Sequence, residues 1–124
     1  MSIVIKPALL AGLALALLLP AAASAHPKLL VSEPQANATI ASPKSMRLSF
    51  SERLVPKFTG AELVRNDPPA PVKLGALPAQ LAADGKTVVF TPKAPLKPGL
   101  YSLNWHAVAG DTHRVSGSIP FRVK

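Results

Sequence analysis

Two stretches near the C-terminal end alternate between apolar and polar side chains. In "YSLNWHA", Tyr101, Leu103, Trp105 and Ala107 fall on one face, and Ser102, Asn104 and His106 on the other. In the last segment Val115, Gly117, Ile119, Phe121 and Val123 alternate with Arg114, Ser116, Ser118 and Arg122. Successive side chains of an extended strand point to opposite faces, so period two predicts strands with one buried side. That pattern belongs to an antiparallel sheet covered on one face. Shorter pieces follow the same rule. "MRLSF" puts Met46, Leu48 and Phe50 together, "TVVF" at 87–90 follows a turn at Asp84-Gly85, and "KPG" at 97–99 marks the next reversal. Pro120 on the outward face predicts an edge position or the exposed side of a terminal strand. The prolines of "RNDPPAPVK" at 65–73 predict a long irregular excursion rather than a strand. No segment after residue 25 keeps a helical period. About seven strands in roughly 100 residues predict an all-β Greek-key β-sandwich.

The start of the chain obeys another rule. Lys6 precedes an apolar run at 8–19, Pro20 breaks it, and Ala23-Ser24-Ala25 offers the small-x-small pattern of a signal-peptidase site. The run is shorter than the roughly 18–20 residues that span a bilayer. Residues 1–25 are therefore expected to be a cleaved secretory signal, and residues 26–124 one exported domain that is not membrane-embedded. With no cysteine in the chain, its stability must come from packing, to which a bound ion can add, rather than from disulfides. Beyond Lys6 the chain has 13 basic and 6 acidic residues, a net charge of +7. Lys44, Arg47, Lys57, Arg65, Lys73 and Lys86 stand singly, which reads as a solvated positive surface. An exported domain of this kind points away from nucleic acid as a partner.

Three histidines carry the candidate chemistry: His26, His106 and His113. Cleavage after Ala25 makes His26 the first residue, with an α-amine and an imidazole that close a chelate ring on one metal ion. Pro27 has no backbone N–H, so chelation stops there. In "GDTHRVSG", Asp111 and His113 are two apart, which in extended backbone puts both on one face at a strand entrance. Two imidazoles, an amine and a carboxylate form a nitrogen-rich set that favours Cu(II), and zinc accepts the same donors. Met46 is the sole methionine after residue 25, so a thioether Cu(I) site is not expected. Each residue also has a plainer reading. A histidine can follow a cleavage site by chance, and Asp111 can cap a turn with its side-chain oxygen. His106, opposite Trp105, suits a polar rim. Glu52 in "SFSERL" is either an acceptor near the site or the start of a loop.

"HPKLLVSEPQANATIASP", "LSFSERLVPKFTGAEL" and "TPKAPLKPGLYSLNWHAVAGDTHRVSGSIPFRVK" together resemble the periplasmic copper-resistance protein family CopC. The resemblance covers nearly all of residues 26–124. It implies a cupredoxin-like Greek-key sandwich or barrel, and a periplasmic, non-enzymatic Cu(II) carrier that delivers to an inner-membrane partner of the CopD type. It also implies a copper site made by the amine and imidazole of His26, the imidazole of His113 and a weaker oxygen from Asp111, with Glu52 as a neighbour. Two departures stand out. The region where some members carry a methionine-rich Cu(I) loop reads "VRNDPPAPVKLGALPAQ", and His106 stands where the family often has arginine. Two other function classes stay open: a copper-dependent oxidative enzyme with a histidine-brace centre, and a metal-free exported interaction module. The first needs a flat aromatic substrate surface, whereas Trp105 and Tyr101 point to the core.

Overall fold

The computed structural model describes residues 26–124, so the expected export signal at 1–25 lies outside the described residues. Nine strands follow one another: β1 (Leu29–Glu33), β2 (Ala38–Ile40), β3 (Met46–Phe50), β4 (Gly60–Arg65), β5 (Val72–Ala76), β6 (Ala79–Leu81), β7 (Thr87–Phe90), β8 (Gly99–Val108) and β9 (Arg114–Val123). A single 3-10 turn, Pro56–Phe58, sits between β3 and β4. The strands form two sheets, β1-β3-β7-β6 and β2-β9-β8-β4-β5. All pairings are antiparallel except β2 with β9, which runs parallel from Ala38↔Phe121 to Ile40↔Val123. This is the all-β Greek-key sandwich the alternation predicts, with nine strands in place of about seven. Strands β2 and β6 have three residues each, too few to display period two.

The apolar faces meet between the sheets. Met46, Leu48 and Phe50 of β3 and Val88 and Phe90 of β7 face Leu63, Tyr101, Leu103, Trp105, Ala107, Ile119, Phe121 and Val123 from the other sheet, and all are buried. Each large apolar side chain so buried contributes roughly 1.5–3 kcal/mol against exposure. Trp105 meets the edge of the Phe50 ring at 5.2 Å between centroids. Its register partner on β9 is Gly117, where a Cβ would lie 2.6 Å from the indole. The glycine leaves room for the tryptophan. Pro120 is exposed, as its outward position predicts. Its carbonyl accepts the Asn37 N–H at 2.6 Å, while β2 pairs with β9 only from Phe121 onward.

The segment at 65–73 departs from expectation. Strand β4 continues through Arg65 and β5 begins at Val72, so the excursion is the connection of a hairpin. Polar groups order it. Arg65 Nε donates to Asp67 Oδ2 at 2.5 Å, Leu100 N–H donates to Asp67 Oδ1 at 3.0 Å, and Asn66 N–H donates to the Leu100 carbonyl at 2.7 Å. Proline content gave the right local irregularity and the wrong extent.

Candidate metal centre

Two remote parts of the chain converge at one end of the sandwich. Pairing of Leu29 with Phe50 lays β1 against β3. The approach to β1 is tied down by two hydrogen bonds, Lys28 N–H to Ser51 Oγ and Ser51 N–H to the Lys28 carbonyl, both 2.9 Å. With Pro27 buried, His26 has a fixed place at the end of the first sheet. In the second sheet β8 and β9 form a hairpin whose last pair is Val108↔Arg114. Its loop carries Asp111 and His113. Val55 N–H donates to the Val108 carbonyl at 2.8 Å, which fastens the segment after β3 to the end of β8.

His26, Asp111 and His113 each present one ligating atom, and these atoms lie within 4.8 Å of one another. His26 Nδ1 is 2.8 Å from Asp111 Oδ2, and His113 Nδ1 is 3.7 Å from the same oxygen. The two imidazoles approach at 3.3 Å between His26 Nε2 and His113 Nδ1, with ring centroids 5.1 Å apart and a 48° tilt. Asp111 Oδ2 is shut off from solvent and has no hydrogen bond aligned on it, despite the nearby His26 nitrogen. Three donor atoms gathered this closely, one of them a sheltered carboxylate oxygen, form a group that could hold a metal ion. Bonds of about 2.0–2.1 Å to a shared ion put neighbouring donors roughly 2.9 Å apart at a right angle and roughly 3.3 Å apart at the tetrahedral angle. The donor set therefore fits a metal ion. The imidazoles are open, with side chains 49% and 71% exposed, around a carboxylate that is 18% exposed.

The spacing argument for Asp111 and His113 needs correction in its mechanism. They belong to a hairpin turn and not to extended backbone. Thr112, between them, has φ 64°, and its N–H donates to the Ala109 carbonyl at 3.0 Å. A left-handed conformation is unusual for a β-branched residue, and nothing in "GDTH" announces it. The turn-cap reading of Asp111 and the ligand reading coexist. Oδ1 accepts the His113 N–H at 3.2 Å, which turns Oδ2 toward the imidazoles. Glu52 and His106 are outside the cluster. Glu52 is half-buried. His106 lies on the outer face opposite Trp105, over Gly60, and burial followed by the charge of Arg114 holds its imidazole below the ordinary histidine range.

A two-sheet Greek-key sandwich with a histidine–carboxylate cluster at one end defines a small β-protein of the cupredoxin-like kind. Residues 29–124 match the CopC domain, and the chain belongs to the CopC family. The match begins three residues after His26, so the cluster's N-terminal member stands just outside it. Copper resistance protein C of Xanthomonas campestris pv. juglandis is 48% identical over 108 residues, covering 84% of both chains. The crystal structure of PcoC, a methionine-rich copper resistance protein from Escherichia coli, is 39% identical with a TM-score of 0.70, over 81% of this chain and all of that one. CopC from Methylosinus trichosporium OB3b is 25% identical with a TM-score of 0.67, over 80% of this chain and 94% of its own.

Proposed function

We propose that this chain is a periplasmic Cu(II)-binding protein of copper resistance, holding the ion through the α-amine and imidazole of His26, the imidazole of His113 and a weaker oxygen of Asp111. One observation carries the reading: residues 87 positions apart in sequence meet with their donor atoms converging on a sheltered carboxylate oxygen. The names of the relatives, copper resistance protein C, support the same metal. His26 Nδ1, which faces Asp111, is the ring nitrogen that closes a six-membered chelate with the residue's own α-amine once Ala25 is removed. Nitrogen-rich sets with an additional oxygen suit Cu(II), which also heads the divalent affinity order.

A thioether Cu(I) site has little to draw on here. PcoC is methionine-rich, whereas Met46 is the one methionine among the described residues and is fully buried in the core. Copper is cargo in this reading, and the chain's work is to bind and release it. Two solvent-exposed imidazoles let the ion enter and leave without opening the sandwich, which suits a carrier or buffer delivering to an inner-membrane partner of the CopD type. Protons compete for the amine and both imidazoles, so affinity falls as pH falls.

The deciding experiment is a Cu(II) competition titration of two proteins, one beginning at His26 and one with a single glycine before it. The extension is expected to weaken binding by orders of magnitude. Equal binding removes the amine from the ligand set, and absence of binding in both overturns the copper reading. A parallel Zn(II) titration is expected to be weaker.

A further inference from the structure

Beside the ligand loop, on the outer side of β8, lies an open hollow of about 680 Å³. Val55 and Val108 form its apolar wall with the ring of Phe58, which is 54% exposed. A single exposed aromatic is ordinary, but this one is held out by a braced turn. Val55 N–H bonds the Val108 carbonyl at 2.8 Å, Phe58 N–H bonds the Val55 carbonyl at 3.1 Å, and Val108 N–H bonds Thr59 Oγ1 at 3.3 Å. The backbone that presents the exposed ring is thus tied to the end of β8.

The polar lining has one sign of charge. Lys57 and Arg114 border the hollow, no carboxylate lines it, and neither cation joins an ion pair among the described residues. Lys57 Nζ lies 5.7 Å from the Phe58 ring centroid. The His106 imidazole adds a hydrogen-bonding group, its pKa held below the ordinary histidine range by burial and by Arg114. The hollow also reaches Thr112, the left-handed residue between two cluster members, and touches neither His26 nor His113.

We propose that this hollow receives an acidic protein segment bearing an apolar side chain, and that its contact with Thr112 couples docking to release of the bound ion. The apolar side chain seats against Phe58, Val55 and Val108, and flanking carboxylates meet Lys57 and Arg114. Anchors in desolvated pockets supply most binding energy, and complementary charge steers the encounter. Only the coupling rests on the copper reading; the docking surface does not.

The test is an amide-shift titration of the metal-free protein beginning at His26, with a capped acidic peptide EDWLED and its charge-reversed counterpart KKWLKK. The acidic peptide is expected to shift Phe58, His106 and Thr112, and the basic one to leave them. Phe58→Ala is expected to weaken docking about tenfold, and Lys57→Glu to remove the preference for acid. Both variants should bind Cu(II) like the parent in competition titrations. The acidic peptide should also speed Cu(II) transfer from the parent to a chromogenic chelator, and not from Phe58→Ala. Equal shifts with both peptides, shifts elsewhere, or perturbation of these residues only by phosphatidylglycerol vesicles overturn the inference. Docking without any Cu(II) binding sinks the copper reading and the coupling while leaving the surface intact. Copper binding without docking sinks the docking surface alone.

Discussion

Asp111 divides its carboxylate between two tasks. Oδ1 accepts the His113 N–H and sets the loop, while Oδ2 sits sheltered between the imidazoles. On the proposed ligand set, replacing Asp111 with alanine disturbs orientation along with a weak donor, an effect of about 10–100-fold on metal affinity if it matches that of other orienting partners. On the same proposed set, His113→Ala removes a nitrogen donor and should cost more. Competition titration ranks the two, and a larger loss for Asp111→Ala would overturn the assignment of the oxygen as the weaker ligand. In the core the decisive residue is Gly117. Its replacement by alanine drives a methyl against the Trp105 indole, and overpacking of this kind costs roughly 1–3 kcal/mol. Urea unfolding measures it, and an unchanged midpoint would show that the indole has room to move.

At the scale of elements, two turns are held by carboxylates. Asp84 accepts the N–H groups of Lys86 and Thr87 at 2.8 and 2.9 Å and the Thr87 hydroxyl at 2.8 Å, which fixes the entry to β7. Asp67 clasps Arg65 and the Leu100 N–H, pinning the β4–β5 connection to the start of β8. The Lys86 N–H in particular holds the Asp84 carboxyl below its ordinary 3.8, and the Arg65 guanidinium does the same for Asp67. A carboxylate depressed in the folded state adds stability above its unfolded value, near 3.9, which is lost as pH falls through the folded value. The protein should thus lose urea resistance below about pH 4. In Asp84→Asn that acid-side loss should be smaller; parallel curves for variant and parent would remove the carboxylate from the account.

On the proposed reading the whole molecule links fold to metal, because the candidate donors come from opposite sheets. An ion that binds only their native arrangement stabilises the fold by mass action. At a free concentration 100-fold above Kd the gain is about 2.7 kcal/mol. For a domain of this size that raises Tm by roughly 10–20 °C. Calorimetry with and without Cu(II) should show this shift for the protein beginning at His26 and a smaller one after glycine extension. No shift in either would mean that the cluster binds too weakly to act as a clasp between sheets.

Period-two patterning by itself determined most of the architecture, because strand faces are a local property. Met46, Leu48 and Phe50, or Tyr101, Leu103, Trp105 and Ala107, can each bury themselves in only one way. The residue types at His26, Asp111 and His113 likewise defined a donor set. What patterning left open were the three-residue strands β2 and β6, whose existence depends on partners remote in sequence, and the hairpin at 65–73, ordered by polar clasps. Tertiary structure alone decided which histidines meet. His26 reaches His113 because β1 pairs with β3 and the β8–β9 hairpin ends above the same edge of the core, while His106, with the same side chain, is turned to the outer face. Register and the left-handed turn at Thr112 made that choice, and both arise from contacts between segments rather than within them.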